Sequence, residues 1–383
     1  MKSNYKTIGE LVTRVDDRNV DGSVDSLVGV SIDKCFIKSV ANTIGTDLSK
    51  YKLIRKNDFA VSLMQVSRDQ RIPIAMQREY DVAIMSPAYP IFRVINENQV
   101  IPAYLEMWFK RPEFDREASF IAVGGVRGSM PWDDFARMRV PVPSYEEQLE
   151  IVRNYEAISE RIELKKKIND NLVANLNTIY QDRFEGGYYS ELPMRELCSK
   201  IGSGATPKGG KESYHDTGIS FIRSTNVFDY GFSYSDLAHI DDAQADSLSN
   251  VIVQKNDVLF NITGVSVTRC CMVPPDVLPA RVNQHVMILR PCAGKYMSYY
   301  ILFTLCASRN KAKLLGIGQS GSTREAINKQ EMEAFQIPVP KIDEIESFGR
   351  IAEAFYEQIH KNNKEMLKLY DLQSVLLALL SSH

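Results

Sequence analysis

Gly316-Ile-Gly318-Gln-Ser-Gly321 spaces its glycines as G-x-G-x-x-G, a pattern that elsewhere lays backbone amides against a pyrophosphate. That chemistry needs a strand before the loop and a helix after it. Here the preceding residues, KAKLL, close an amphipathic stretch, so neither a dinucleotide nor S-adenosylmethionine is expected at this position. Gly204-Ala-Thr-Pro-Lys-Gly209-Gly210-Lys211 approaches a phosphate-binding P-loop and fails it twice. Ala205 stands where the first glycine belongs, and Glu212 follows the lysine in place of Ser or Thr. Pro274-Pro275 lies between Val273 and Asp276, so the Asn-Pro-Pro-aromatic or Asp-Pro-Pro-aromatic tetrapeptide of amino-group methyl transfer is missing. The five histidines form no spaced cluster, and the six cysteines show no Cys-x-x-Cys spacing and no neighbouring histidine. Zinc and a disulfide framework are therefore not expected, and the cysteines read as reduced, mostly buried thiols. An acid/base pair assembled from distant carboxylates would leave no spacing to read.

With no catalytic signature, attention passes to what the chain could position. Its 383 residues exceed what one core usually fills, which predicts two domains. The composition, 44% hydrophobic and 25% charged, is that of a folded protein. No stretch reaches the roughly 18 apolar residues of a membrane span, and MKSNYKTIGELVTR lacks a signal-peptide core, so a cytoplasmic location is expected. A net charge of −2 argues against a chain that grips nucleic acid unaided and requires any basic surface to be local.

The strongest internal signal is a repeat. RVPVPSYEEQLEI begins at Arg139 and QIPVPKIDEIESF at Gln336, an offset of 336 − 139 = 197 residues. The same offset carries Gly124 onto Gly321, Arg127 onto Arg324, Glu147 onto Glu344, Arg153 onto Arg350, Ile162 onto Ile359 and Leu172 onto Leu369. After each Pro-x-Pro, apolar residues recur in alternating steps of four and three, the seam of a coiled coil. The first seam runs Ile151, Tyr155, Ile158, Ile162, Lys165, Asn169, Leu172, Leu176 and Ile179. The second runs Phe348, Ala352, Phe355, Ile359, Asn362, Met366, Leu369, Gln373, Leu376 and Leu380. Both turn polar near the middle, which costs stability and fixes register. Ser144 and Glu147 form a capping box, and Asp343 with Glu346 are expected to do the same in the second copy. A helix over 144–184 would be roughly 60 Å long at ~1.5 Å per residue.

Ahead of each helix, FAVSLMQV, DVAIMSPAYPIFRVI, GISFIRSTNV, NVIVQKNDVLFNITG and HVMILRP read as strands, while PAYLEMWFKRPEF and MSYYILFTLCASRNKAKLL read as helices. Lys56-Asn57-Asp58 matches Lys255-Asn256-Asp257, and Ile91 and Arg93 match Ile288 and Arg290. The expected fold is α/β (α+β): two similar domains, 1–143 and 185–340, separated by two long antiparallel coiled-coil helices, 144–184 and 341–383. Related scaffolds with divergent loops suit a protein that reads two different things.

The order of KIGSGATPKGG, FIRSTNV, NDVLFNITG and GQSGSTREAINKQEM, with IPVP and a long helix used twice, resembles the DNA-specificity subunits of type I restriction-modification systems over essentially the whole chain. The resemblance implies two target-recognition domains, each reading half of a bipartite site in double-stranded DNA, with the helices as spacer. It implies a non-catalytic chain that assembles with two methyltransferase subunits and, in a restricting complex, with endonuclease/translocase subunits. S-adenosylmethionine would be bound by the methyltransferase, and this chain would hold no cofactor and no metal.

Base reading and phosphate contact call for Arg, Lys, Asn, Gln and small hydroxyl side chains on loops. In the first domain these are Ser62, Gln65, Arg68, Arg71, Arg78, Gly124 and Arg127. In the second they are Ser203, Thr206, Lys208, Lys211, Arg223, Ser224, Asn226, Thr263, Arg269, Gln319, Ser320, Gly321 and Arg324. The paired Gly-x-x-Arg is equally readable as a turn leading into Pro-x-Pro. Two other classes stay open at this point: a self-sufficient DNA-binding repressor, and a scaffold built on the helices that binds no DNA.

Overall fold

The computed structural model describes residues 4–39, 46–123, 128–207, 209–319 and 325–382, Lys211 and Ser382 by their backbone alone. The chain forms two compact units, residues 1–164 with 366–383 and residues 165–365, so the division passes through both long helices.

Each unit is built on the same four-stranded sheet. In the first, β1 (Val12–Val15), β2 (Phe59–Val61), β3 (Ile74–Met76) and β4 (Ile91–Val94) lie in the order β1-β4-β2-β3. The first long helix follows as α1 (Tyr145–Phe184). In the second unit, β5 (Cys198–Ser203), β6 (Val258–Asn261), β7 (Cys270–Met272) and β8 (Val286–Pro291) lie in the order β5-β8-β6-β7. The chain then enters α2 (Ile342–Leu379). All pairings within both sheets are antiparallel.

The repeated Lys-Asn-Asp explains the shared topology. Asn57 and Asn256 take left-handed backbone, φ +68° and +71°, a conformation asparagine tolerates better than most residues. The next residue is a buried aspartate whose carboxylate closes the turn, Asp58 accepting from the Arg55 amide at 2.9 Å and Asp257 from the Gln254 amide at 2.7 Å. Each carboxylate then takes a two-pronged arginine from the neighbouring strand: Arg93 at 2.8 and 2.9 Å, Arg290 at 2.7 and 2.8 Å.

Pro-x-Pro has an equally local reason. Arg139–Pro141 pairs with Tyr5–Thr7, and Gln336–Val339 with Ser190–Pro193, so the first proline of each motif, Pro141 and Pro338, sits in a two-stranded ribbon where a missing N–H is tolerated. Tyr104 donates its hydroxyl to the Pro141 carbonyl at 3.1 Å, and Tyr300 does the same to Pro338 at 2.6 Å.

Ser144 and Glu147 make the expected capping box at the start of α1. The second helix differs from expectation. Glu344, not Glu346, reaches back, accepting from the Lys341 amide at 3.1 Å. Lys341 occupies the place of Ser144 and offers no side-chain acceptor, so only half of the box survives. The amphipathic stretches also break differently: PAYLEMWFKRPEF is divided between Pro102–Phe109 and Pro112–Ile121, and MSYYILFTLCASRNKAKLL between Lys295–Cys306 and Ser308–Gln319. In the first of these, Pro112 bars Arg111 from helical backbone. DVAIMSPAYPIFRVI likewise holds two strands in different sheets, Val82–Met85 and β4.

Within each unit the two long helices run antiparallel. In the first, Gln373 donates to Ser159 at 2.7 Å, and Val152 and Leu380 share one buried cluster with Ile8, Tyr104 and Val140. In the second, Tyr180 and Phe184 pack on Phe348, with ring centroids 5.8 and 5.6 Å apart. The polar part of the seam is a closed network in this unit. Asn362, 2% exposed, donates to Asn169 at 2.8 Å and accepts from Lys165 at 3.1 Å. Asn169 donates in turn to Asn363 at 2.8 Å, while Lys165 pairs with Glu365 at 2.6 Å.

Two stability outcomes follow. Asp257→Ala strands Arg290 beside a lost buried charge and should cost about 3 kcal/mol, the lower end for a broken buried pair. Asp58→Ala should cost less, because Arg93 keeps 41% side-chain exposure against 23% for Arg290. Urea midpoints rank the two, and the reverse order would contradict this account. Alanine at Asn169 and Asn362, alone and together, should give a coupling of about 0.5 kcal/mol or more in a double-mutant cycle.

Candidate nucleic-acid interface

The described candidate residues do not form one surface. In the second unit the structure brings together Ser203 and Thr206 at and after the end of β5, Thr263 after β6, and Gln319 at the end of the helix Ser308–Gln319. Ser203 ends β5 opposite Met287 of β8. Gly204 then donates to the Asn283 carbonyl at 3.1 Å, and a Cβ on Gly204 would lie 1.7 Å from the Val282 carbonyl oxygen. Only glycine lets the backbone pass so close, and this passage sets the place of Thr206. Thr263 follows β6. The Ile262 amide bonds the His285 carbonyl at 3.0 Å, and the Gly264 amide bonds the Glu325 carbonyl at 3.0 Å. Glu325 accepts from Gln319 at 3.3 Å.

Two residues that the sequence reading passed over lie at the centre of this cluster. Gln284, exposed, accepts from the Thr206 hydroxyl, and its Nε2 stands 3.0 Å from His285 Nε2. His285 Nδ1 stands 2.6 Å from Thr263 Oγ1. The only signal in the sequence was a polar Asn-Gln-His between two apolar strands.

A second group holds its loop together. Asn226 is fully buried. Its amide donates to the Ser233 and Ser235 carbonyls at 3.0 and 3.2 Å, and its oxygen accepts from the Arg223 amide at 3.0 Å. This corrects its assignment to a base or phosphate contact: every polar atom is committed inside the fold. Ser224 gives its carbonyl to buried Asn261 at 2.9 Å. Arg223 donates to the Asp236 carbonyl and lies 5.5 Å from the Tyr214 ring. Arg269 lies 4.7 Å from the centroid of Phe228, which is 43% exposed. A guanidinium supported on an aromatic face remains free to bond a phosphate or a base edge.

In the first unit Ser62 and Gln65 lie just after β2, with Gln65 in left-handed backbone at φ +63°. Arg68 pairs with its neighbour Asp69 at 2.7 Å, which raises the guanidinium pKa and lowers that of the carboxyl. Arg71, 3.5 Å from Asp33, borders a cleft that Lys34, Lys110 and Arg116 also line. Burial lowers the Lys34 ammonium pKa against the opposing pull of Asp115, 2.7 Å away. Arg78 is placed differently from expectation, since its guanidinium bridges buried Glu106 at 2.8 Å and Glu156 of α1 at 3.1 Å. It ties the domain to its helix.

Gly124, Arg127, Lys208, Ser320, Gly321 and Arg324 lie outside the described residues, as does the side chain of Lys211. Gly316 and Gly318 fall inside the helix Ser308–Gln319, with no strand ahead of them as a dinucleotide loop requires. Cys198, Cys270, Cys271 and Cys306 are buried; Cys35 and Cys292 are exposed. Burial pushes the Cys198 thiol up to about 12, which leaves it a poor nucleophile. Among the described residues no three His, Cys, Asp or Glu stand close enough to hold a metal ion, and no helix is long and apolar enough to cross a membrane.

Residues 190–369 match the type I restriction modification DNA specificity domain. A putative type I restriction enzyme specificity subunit, MjaX, of Methanocaldococcus jannaschii is 20% identical over 206 residues, 51% of this chain and 47% of that one. The EcoBI specificity subunit of Escherichia coli is 26% identical over 168 residues, 42% of this chain and 33% of that one. The chain thus spans about half and a third of the lengths of these curated relatives. The crystal structure of a type I restriction-modification S subunit from M. genitalium shares the fold, with a TM-score of 0.55 at 13% identity over 99% of this chain and 96% of that one. Residues 190–369 are thus similar to that specificity domain, and the chain shares the fold of that S subunit.

The Gly204 passage yields a direct check. Gly204→Ala should destabilise the protein by about 1–3 kcal/mol through overpacking against backbone. Gly202→Ala, with open space at its Cβ, should be close to neutral in the same urea titration.

Proposed function

We propose that this chain is a non-catalytic address subunit: each recognition domain reads one half of a bipartite site in double-stranded DNA, and partner subunits act there. The observation that carries this reading is the duplicated scaffold with unlike loops. The two sheets share strand order and the Asp-Arg turn, yet the loop before the last sheet strand reads Ser86-Pro-Ala-Tyr-Pro90 in one unit and Asn283-Gln-His285 in the other. A common frame with different loop chemistry suits two different half-sites.

In this reading two methyltransferase subunits, holding S-adenosylmethionine, flip and methylate adenine in each half-site. Endonuclease/translocase subunits join them in a restricting complex. Partners closing around the duplex supply much of the phosphate neutralisation, which accommodates a chain of net charge −2. The long helices serve as the ruler. At 40 and 38 residues they extend to roughly 60 Å, against about 34–36 Å for a turn of duplex.

Co-expression with the methyltransferase subunit and single-molecule mapping of methylated adenines tests the reading. The expected result is two short specified halves around a fixed undefined spacer. Exchanging residues 1–136 for those of a related chain should change one half only. Four residues inserted beside Lys165 should change only the spacer length; altered bases in either half would defeat the ruler. Tight, steeply salt-dependent binding to a single site by the isolated chain, without methylation by any complex, would favour a repressor.

A further inference from the structure

We propose that Gln284 reads a base edge in the half-site assigned to the second unit, and that Thr206, His285 and Thr263 act as positioning residues for its amide. The proposal rests on the reading of function given above. The four side chains come from three loops and form one hydrogen-bonded row: Thr206 hydroxyl to Gln284 Oε1, Gln284 Nε2 to His285 Nε2, and His285 Nδ1 to Thr263 Oγ1.

The chemistry of the row constrains the amide. A neutral imidazole offers one donor and one acceptor. Because an amide nitrogen only donates, His285 Nε2 must accept from Gln284, so Nδ1 carries the proton and gives it to Thr263. Reversing the Gln284 amide alone would set its oxygen against the His285 lone pair. The amide therefore turns only if the imidazole changes tautomer and both threonine hydroxyls reverse. A glutamine on an exposed loop usually samples both orientations; this one is held.

What the row leaves over is one N–H and one lone pair on the Gln284 amide, each end having spent one inside. One donor beside one acceptor on a Gln or Asn is the complement of adenine N7 and N6 in the major groove. The neighbourhood is open to a duplex: Gln284 and Thr206 are exposed, and Val265, at the tip of the adjoining loop, is 101% exposed. In the first unit the corresponding loop, Ser86 to Pro90, holds no amide or imidazole side chain. The device therefore belongs to one half-site.

The test is methylome mapping of the complex with its methyltransferase. The unaltered chain must first give a bipartite motif; if it gives none, the reading of function fails before Gln284 is at issue. Gln284→Ala should then lower discrimination at a single A·T pair of one half by about 5- to 150-fold, with the other half and the spacer unchanged. Gln284→Glu, an acceptor only, should move that position toward a pair presenting cytosine N4. His285→Ala should give a weaker relaxation at the same position, and His285→Gln, which regains a donor and an acceptor, should restore it. An unchanged motif with Gln284→Ala, or relaxation spread over both halves, would overturn the proposal. If that variant does not assemble, Thr206→Val, which keeps shape and removes the hydroxyl, carries the same test with the same two overturning outcomes.

Discussion

Each unit closes its core with residues from both long helices. The first needs Leu377 and Leu380, from near the far end of the sequence, to cover Val152 and the apolar cluster around Ile8 and Tyr104. The second needs Leu176, Tyr180 and Phe184 of α1 as well as Ile345, Phe348 and Ala352 of α2. Burial of these side chains, each worth about 1.5–3 kcal/mol when fully covered, makes the helix pair part of both cores. A change in the seam is therefore a change in domain stability. The polar network at Lys165, Asn169 and Asn362 lowers the attraction of the seam while admitting one register, since any slip would leave buried amides unpaired.

On that foundation the two units repeat a small set of rigid joints. The left-handed asparagine, the buried aspartate and the forked arginine fix the turn into β2 and β6 and lock the neighbouring strand beside it. A buried carboxylate is costly unless its oxygens are fully occupied, and here each accepts from both a backbone amide and a guanidinium. Tyr104 and Tyr300 then anchor the ribbon that leads into each helix. These joints explain why the copies keep strand order while little else in the domains remains alike.

The parts legible in the sequence were those with a period or a copy. The seam was readable because its four-and-three spacing runs through about eight or nine turns of each helix, and the Asp and Arg anchors because they recur near one offset. That the anchors pair was not readable, since Asp58 and Arg93 are 35 residues apart and nothing local links them. Arg78 looked free because its partners, Glu106 and Glu156, lie on two different helices. Asn226 looked like a reader because asparagine in a polar loop is chemically the same whether it turns outward or folds in to hold carbonyls. Gln284 and His285 escaped because a three-residue polar loop has neither period nor motif. Only the packing of Gly204 against Val282 brings Thr206 to them.

The division between joints and loops bears on how the proposed reading of DNA can change. Backbone positions in the second unit's loops are held by groups that face inward: Asn226 on three loop atoms, Asn261 on the Ser224 carbonyl, Gly204 against Val282. The outward side chains, Thr206, Gln284, Arg269 and Gln319, support no core. Substituting them costs little stability, typically within about 0.5 kcal/mol for surface positions. The joints tolerate almost nothing, since each combines burial with hydrogen bonds that have no substitute. Under the proposed function, a chain organised in this way can exchange its reading groups while its frame, helices and register stay fixed. Retuning is then limited by side-chain rows such as Thr206-Gln284-His285-Thr263, in which replacing one member alone leaves its neighbour without a counterpart.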